Sequence, residues 1–141
     1  MDTFKIVAFK LGDEEYGINI DYVQSIERIN QFTRVPNAPD YVIGVINLRG
    51  NVTPIIDLRS RLNLEKTRFT ENTRVMIIRY GEIELGLTID QTRDVIDVEK
   101  EEVESATNSG LDSDYFSGVA KLEGRLIILL KIEELMKTET L

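Results

Sequence analysis

The sequence predicts an all-β protein built as two small, similar barrels that share an apolar interface. Three observations carry this expectation. Short β-branched runs are separated by tight turns, a block pattern occurs twice in the same order, and 141 residues leave each half too small to stand alone. A half of about 70 residues buries only about 60% of its unfolded surface.

The predicted strands cover residues 4–11, 15–21, 41–48, 52–58, 73–80, 82–90 and 125–130. Gly12-Asp13, Gly50-Asn51, Gly81-Glu82 and Glu123-Gly124 lie between apolar runs as turns, glycine taking φ > 0 without a Cβ clash. Such spacing favours barrels or sandwiches over a parallel α/β sheet, and closing a small barrel removes exposed edges. Residues 57–62 are expected to make one helical turn. Residues 131–137 read as a short C-terminal helix, with Ile132, Leu135 and Met136 at helical spacing. The polar, acidic stretch 101–114 reads as a long mobile loop.

The repeat is explicit. Residues 11–21 match 80–90 without a gap, and the register continues to set Ile26 against Val95 and Ile29 against Val98. The stretch 44–58 has a fainter copy at 118–130, with Glu123 in place of Arg49 and Ile128 in place of Pro54. Two blocks in one order in each half indicate an internal duplication. Two copies are too few for a solenoid and fit two similar small domains, 1–66 and 67–141, with terminal segments free to pack on the other half.

Net charge is −8, and it is uneven. Residues 1–66 carry eight Lys and Arg against nine Asp and Glu; the remainder carries nine against sixteen. An acidic chain is a poor polyanion ligand, so neither nucleic acid nor an anionic membrane surface is expected as a partner. No apolar run approaches membrane-spanning length and no leader precedes Phe4, which makes a cytoplasmic protein without direct membrane insertion the expectation.

Catalytic chemistry finds little support. With no Cys and no His, thiolate catalysis and imidazole metal sites are excluded; the six serines lack a histidine partner. No phosphate-binding glycine motif or calcium-loop spacing occurs. No catalytic residue, cofactor or metal is therefore expected. A paired-carboxylate hydrolase stays open, but nothing marks one acidic pair out, and the repeated Asp21 and Asp90 read as turn caps.

One position points to a partner. Arg49 stands alone beside the turn glycine, a long cation at a hairpin tip. Its bland alternative is an exposed ion pair worth under about 1 kcal/mol. Yet the second copy carries Glu123, and a purely structural role should have persisted in both halves.

Across these strings the chain resembles a known family. Phe9-Lys10-Leu11-Gly12-Asp13-Glu14-Glu15-Tyr16-Gly17-Ile18, Val23-Gln24-Ser25-Ile26, Thr33-Arg34-Val35-Pro36-Asn37-Ala38-Pro39, Gly44-Val45-Ile46-Asn47-Leu48-Arg49-Gly50 and Pro54-Ile55-Ile56-Asp57-Leu58-Arg59 look like the bacterial chemotaxis coupling proteins, the CheW family. The likeness continues through Gly86-Leu87-Thr88-Ile89-Asp90, Asp94-Val95 and Gly118-Val119. It implies two five-stranded, SH3-like barrels packed around a shared core. It also implies a non-enzymatic adaptor, recruited to membrane-associated receptor arrays. Such an adaptor links the cytoplasmic helical hairpin tip of chemoreceptors to the regulatory domain of the histidine kinase CheA. Carried over, the receptor-binding candidates are Val23, Ile26, Ile29, Gly44, Arg49, Ile89 and Val95, because an amphipathic helix needs apolar anchors in a groove. The kinase-binding candidates are Ile43, Asn51 and Val52, at the end of the first barrel. A CheW-like scaffold of another chemosensory-type pathway, serving motility or development, is the alternative.

Overall fold

The computed structural model describes residues 2–28, 31–108 and 114–137. Eleven strands are laid down among them. They are β1 (Thr3–Leu11), β2 (Glu14–Asn19), β3 (Val23–Glu27), β4 (Val42–Leu48), β5 (Asn51–Ile56), β6 (Arg74–Tyr80), β7 (Ile83–Ile89), β8 (Gln91–Glu99), β9 (Val103–Ser105), β10 (Phe116–Leu122) and β11 (Arg125–Leu130). Two single-turn helices, α1 (Leu58–Arg61) and α2 (Ile132–Leu135), follow β5 and β11. These are the two predicted helical segments, each seating apolar side chains: Leu58 in α1, and Ile132 and Leu135 in α2.

The strands form a six-stranded sheet, β8-β1-β2-β11-β10-β9, and a five-stranded sheet, β3-β6-β7-β5-β4. Under the sequence duplication β6, β7, β3, β4 and β5 correspond to β1, β2, β8, β10 and β11. The two sheet orders then coincide strand for strand. Each sheet, however, takes its opening hairpin from one repeat and the rest from the other. The parallel pairs that seal the exchange also correspond, Leu129 facing Gly17 in one sheet and Ile55 facing Gly86 in the other. Each sheet thus draws strands from both sides of residue 66.

The segment expected to be a loop is partly ordered. Lys100–Glu102 forms a 3-10 turn and Val103–Ser105 adds a sixth strand, because Val103 packs into the apolar cluster of its own sheet. Residues 109–113 of that stretch lie outside the described residues. The counterpart of β9 in the other sheet is one bridge, Thr33 to Val45.

Three apolar clusters hold the molecule. Ile6, Ala8, Val98, Ala120, Ile127 and Leu129 belong to the six-stranded sheet alone, with Val103 of the opposite edge packed on them, so this sheet curls. Ile55, Val75 and Ile77 do the same for the five-stranded sheet. The third and largest lies between the sheets and unites Phe9, Tyr16 and Ile18 with Met76, Ile78 and Leu87. This is the shared interface that the small halves require. Strands β1 and β6 are buried on both faces, which explains why Ile6-Val7-Ala8-Phe9 and Val75-Met76-Ile77-Ile78 are continuously apolar instead of alternating.

Candidate functional site

β3 and β8 are corresponding strands, and each is the outer strand of its sheet. Their registers agree: Ile26 faces Met76 and Val95 faces Val7, positions that correspond in the duplication. Ile26 is 40% and Val95 52% exposed, unusual for β-branched residues on strands otherwise anchored to a core. Val23, at the start of β3, is half-buried against the cluster between the sheets. Sequence reasoning brought these three together, and the fold presents Ile26 and Val95 to solvent.

Two other receptor candidates are placed differently. Ile89 is fully buried in the inter-sheet cluster, so it holds the sheets together and offers no side-chain area to a partner. Gly44 is consumed by its own chain. A Cβ there would lie 2.4 Å from the Thr33 carbonyl oxygen, and Thr33 and Val45 exchange backbone hydrogen bonds of 2.8 and 2.9 Å. The close approach that requires glycine is therefore internal. Ile29 lies outside the described residues.

The hairpin tip differs from expectation by one residue. Leu48 pairs with Asn51, so the central turn residues are Arg49 and Gly50, at φ of 50° and 84°. Both lie in the left-handed region, as a type I′ turn demands. For an arginine this costs roughly 1–2 kcal/mol relative to glycine. The Asn47 carboxamide oxygen accepts a hydrogen bond from the Gly50 N–H at 3.1 Å, which supports the turn from below. Arg49 is exposed and makes no ion pair or side-chain hydrogen bond with any described residue. The simple ion-pair explanation is absent.

Beside this turn lies a recess of about 70 Å³ lined by Gln24, Ser25, Arg49, Asn51, Arg79 and Glu84. Arg79 donates to Glu84 at 3.1 Å, and the Thr53 hydroxyl donates to the other Glu84 oxygen at 2.9 Å. The Ser25 hydroxyl is buried without a hydrogen-bond partner.

The corresponding corner of the six-stranded sheet is filled. There Arg125 donates to Glu15 at 2.6 Å and to both oxygens of Asp94 at 2.9 and 3.1 Å, while Arg93 stands 3.5 Å from Glu15. Hydrogen bonding from Arg125 holds the Asp94 carboxyl below the usual carboxylate range. A second fork joins Arg59 to Asp90, the residue at the crossover between the sheets. Burial alone would raise Asp90, but the Arg59 hydrogen bonds and the Gly12 N–H outweigh it and leave the pKa lowered. Both carboxylates are thus ionised ion-pair partners.

Of the kinase candidates, Asn51 is exposed and Val52 is 69% exposed, at the first positions of β5. Ile43 packs partly buried against the five-stranded sheet's own cluster, so it supports that end from beneath. Leu126, 64% exposed at the equivalent place on β11, was missed. The signal was present, because the duplication aligns Leu126 with Val52.

Among known proteins, the CheW-like domain family matches residues 5–140. This chain belongs to the CheW-like family. The Chemotaxis protein CheW of Bacillus subtilis is 41% identical over 139 residues, spanning 96% of this chain and 88% of that protein. Its namesake from Helicobacter pylori is 32% identical over 139 residues, spanning 98% and 84%. The crystal structure of the scaffolding protein TtCheW from Thermoanaerobacter tengcongensis matches with a TM-score of 0.85 at 30% identity, over 92% of this chain and 90% of that one. Membership of the CheW-like family carries the two-sheet all-β fold and a chemotaxis coupling role. No helix among the described residues is long and apolar enough to cross a membrane.

Proposed function

We propose that this chain is a non-enzymatic adaptor coupling the cytoplasmic helical tip of methyl-accepting chemoreceptors to the regulatory domain of the histidine kinase CheA. The observation that carries the reading is the matched exposure of Ile26 and Val95 on two open edge strands. Together with Val23 they offer apolar anchors of the kind an amphipathic helix requires. Arg49, exposed and unpaired at a rigid turn, supplies a polar contact, since a guanidinium binds carboxylates or carbonyls in a defined fork. Val52 and Asn51, at the end of the five-stranded sheet, serve the kinase, with Ile43 beneath them. The carboxylates with perturbed pKa, Asp90 and Asp94, are held ionised by arginines and are not poised to donate protons. Binding to receptors places the protein at membrane-associated arrays without inserting it in the bilayer.

Co-sedimentation of the full chain with receptor-tip fragments and CheA tests this. Wild type assembles all three. Ile26→Asp and Arg49→Glu lose the receptor while keeping a folded spectrum, and a charged substitution at Val52 loses the kinase. Retention of receptor by both former variants would remove Ile26 and Arg49 from the receptor contact.

A further inference from the structure

The two corners described above correspond residue by residue. The paired registers set Ser25 at the position of Asp94, Glu84 at that of Glu15, and Asn51 at that of Arg125. The charges differ. In the six-stranded sheet, Arg125 and Arg93 face Glu15 and Asp94, two cations against two carboxylates. In the five-stranded sheet, Arg79 and Arg49 line a recess holding one carboxylate, Glu84, which Arg79 already takes. That corner is one carboxylate short, and Ser25 stands where the second would be.

The shortfall coincides with three further observations. Arg49 has no partner among the described residues, the Ser25 hydroxyl is buried without one, and about 70 Å³ of space remains between them. A share of liquid volume near 30 Å³ per water means the recess also admits a carboxylate group without displacing protein. A buried hydroxyl without a partner is unfavourable, and an incoming acceptor recovers that cost.

We infer that this recess is a docking slot for one carboxylate side chain of the protein partner, taken between the Arg49 guanidinium and the Ser25 hydroxyl. The inference deepens the proposed coupling function and rests on it. It names the chemistry that the Arg49 site recognises, an Asp or Glu of the receptor tip. It also explains why only one of the two corresponding corners accepts that carboxylate. In the other, Asp94 supplies the carboxylate internally, Arg125 fills the space, and Glu123 at the tip repels a second acid.

The test supplies the missing carboxylate from within. Binding of a receptor cytoplasmic fragment carrying the helical tip is measured by calorimetry for wild type, Ser25→Asp and Ser25→Asn. Asp and Asn have the same shape, so they separate charge from bulk. Ser25→Asp pairs with Arg49, raises the thermal midpoint of the free chain and weakens tip binding about tenfold, the scale of one charge-assisted contact. Ser25→Asn stays within about twofold of wild type. Equal binding by Ser25→Asp and wild type overturns the slot, as does an equal loss in both variants. Absence of wild-type binding to the tip overturns the coupling reading, and the slot with it. Should Ser25→Asp not fold, each carboxylate of the fragment is changed to its amide in turn. One such change then weakens wild type about tenfold and leaves Arg49→Ala unaffected; no such carboxylate existing overturns the slot.

Discussion

Arg59 and Asp90 form a fork across the crossover that links the two sheets, with Arg59 Nε 3.1 Å from each Asp90 oxygen and a terminal nitrogen at 2.5 Å. Asp90 also accepts the Gly12 N–H at 2.7 Å, so a single carboxylate ties α1, the β1–β2 turn and the crossover together. Removing it leaves a partly buried guanidinium without its partner. Asp90→Asn is expected to cost about 1–3 kcal/mol of unfolding free energy at neutral pH, read from urea titration.

The pH dependence follows from the same pair. Asp90 and Asp94 have folded pKa values below their ordinary value of 3.8. Their contribution to stability is therefore complete above the unfolded pKa and disappears as pH falls through the lower folded values. Wild type should lose stability below about pH 4, and Asp90→Asn should show a shallower loss over that window. Parallel curves for the two proteins would contradict the assignment.

Arg61 lies between two tyrosines that the duplication relates, its guanidinium carbon 5.0 Å from the Tyr41 ring centre and 4.8 Å from that of Tyr115. It also donates to the Tyr115 hydroxyl. Arg61→Ala should cost about 1–2 kcal/mol, and Arg61→Lys should recover little of it, because an ammonium lacks the guanidinium's planar face and forked donors. Denaturant midpoints of the three proteins decide this.

Arg49 offers a test in which stability and binding move in opposite directions. Glycine tolerates the left-handed turn that arginine holds at φ 50°. Arg49→Gly is expected to raise stability by up to about 1 kcal/mol while weakening receptor association. A drop in both would show that Arg49 supports the hairpin.

Gly44 and Gly118 correspond in the duplication, and each lies against a backbone carbonyl, Thr33 and Glu104 respectively, within 2.6 Å of where a Cβ would stand. Backbone cannot yield as a side chain tip does. Alanine at either position should destabilise by about 1–3 kcal/mol. With Gly44→Ala, receptor binding should follow the folded fraction and show no loss beyond it, which pull-downs at matched folded concentration measure.

The apolar runs of β1, β2, β4 to β7 and β11 were legible because each is bounded by a glycine turn or a polar join, and the C-terminal single-turn helix was legible from helical spacing. β8 was not. Gln91-Thr92-Arg93-Asp94 reads as polar chain, and it is a strand because β1 offers it a hydrogen-bonding edge along most of its length. β9 escaped notice for the same reason, with three residues held by β10 and one valine in the core. Of the candidate residues, Arg49 could be named from pattern and repeat, whereas Ile26 and Val95 were carried over from the family resemblance, with the repeat setting the two at equivalent positions. Ile89 could not be told from them, since an isoleucine at a strand end reads alike whether it faces a core or a groove.

The sequence by itself determined the local elements, the internal repeat and the lone cation at the hairpin tip, because turn chemistry and apolar periodicity act over a few residues. The tertiary structure alone decided which hairpin joins which sheet. The repeats carry such similar patterns that β2 beside β11 and β7 beside β5 satisfy the same alternation as pairing within a repeat would. Only the packing of both hairpins into one inter-sheet core selects the exchange. That selection leaves Ile26 and Val95 on open edges.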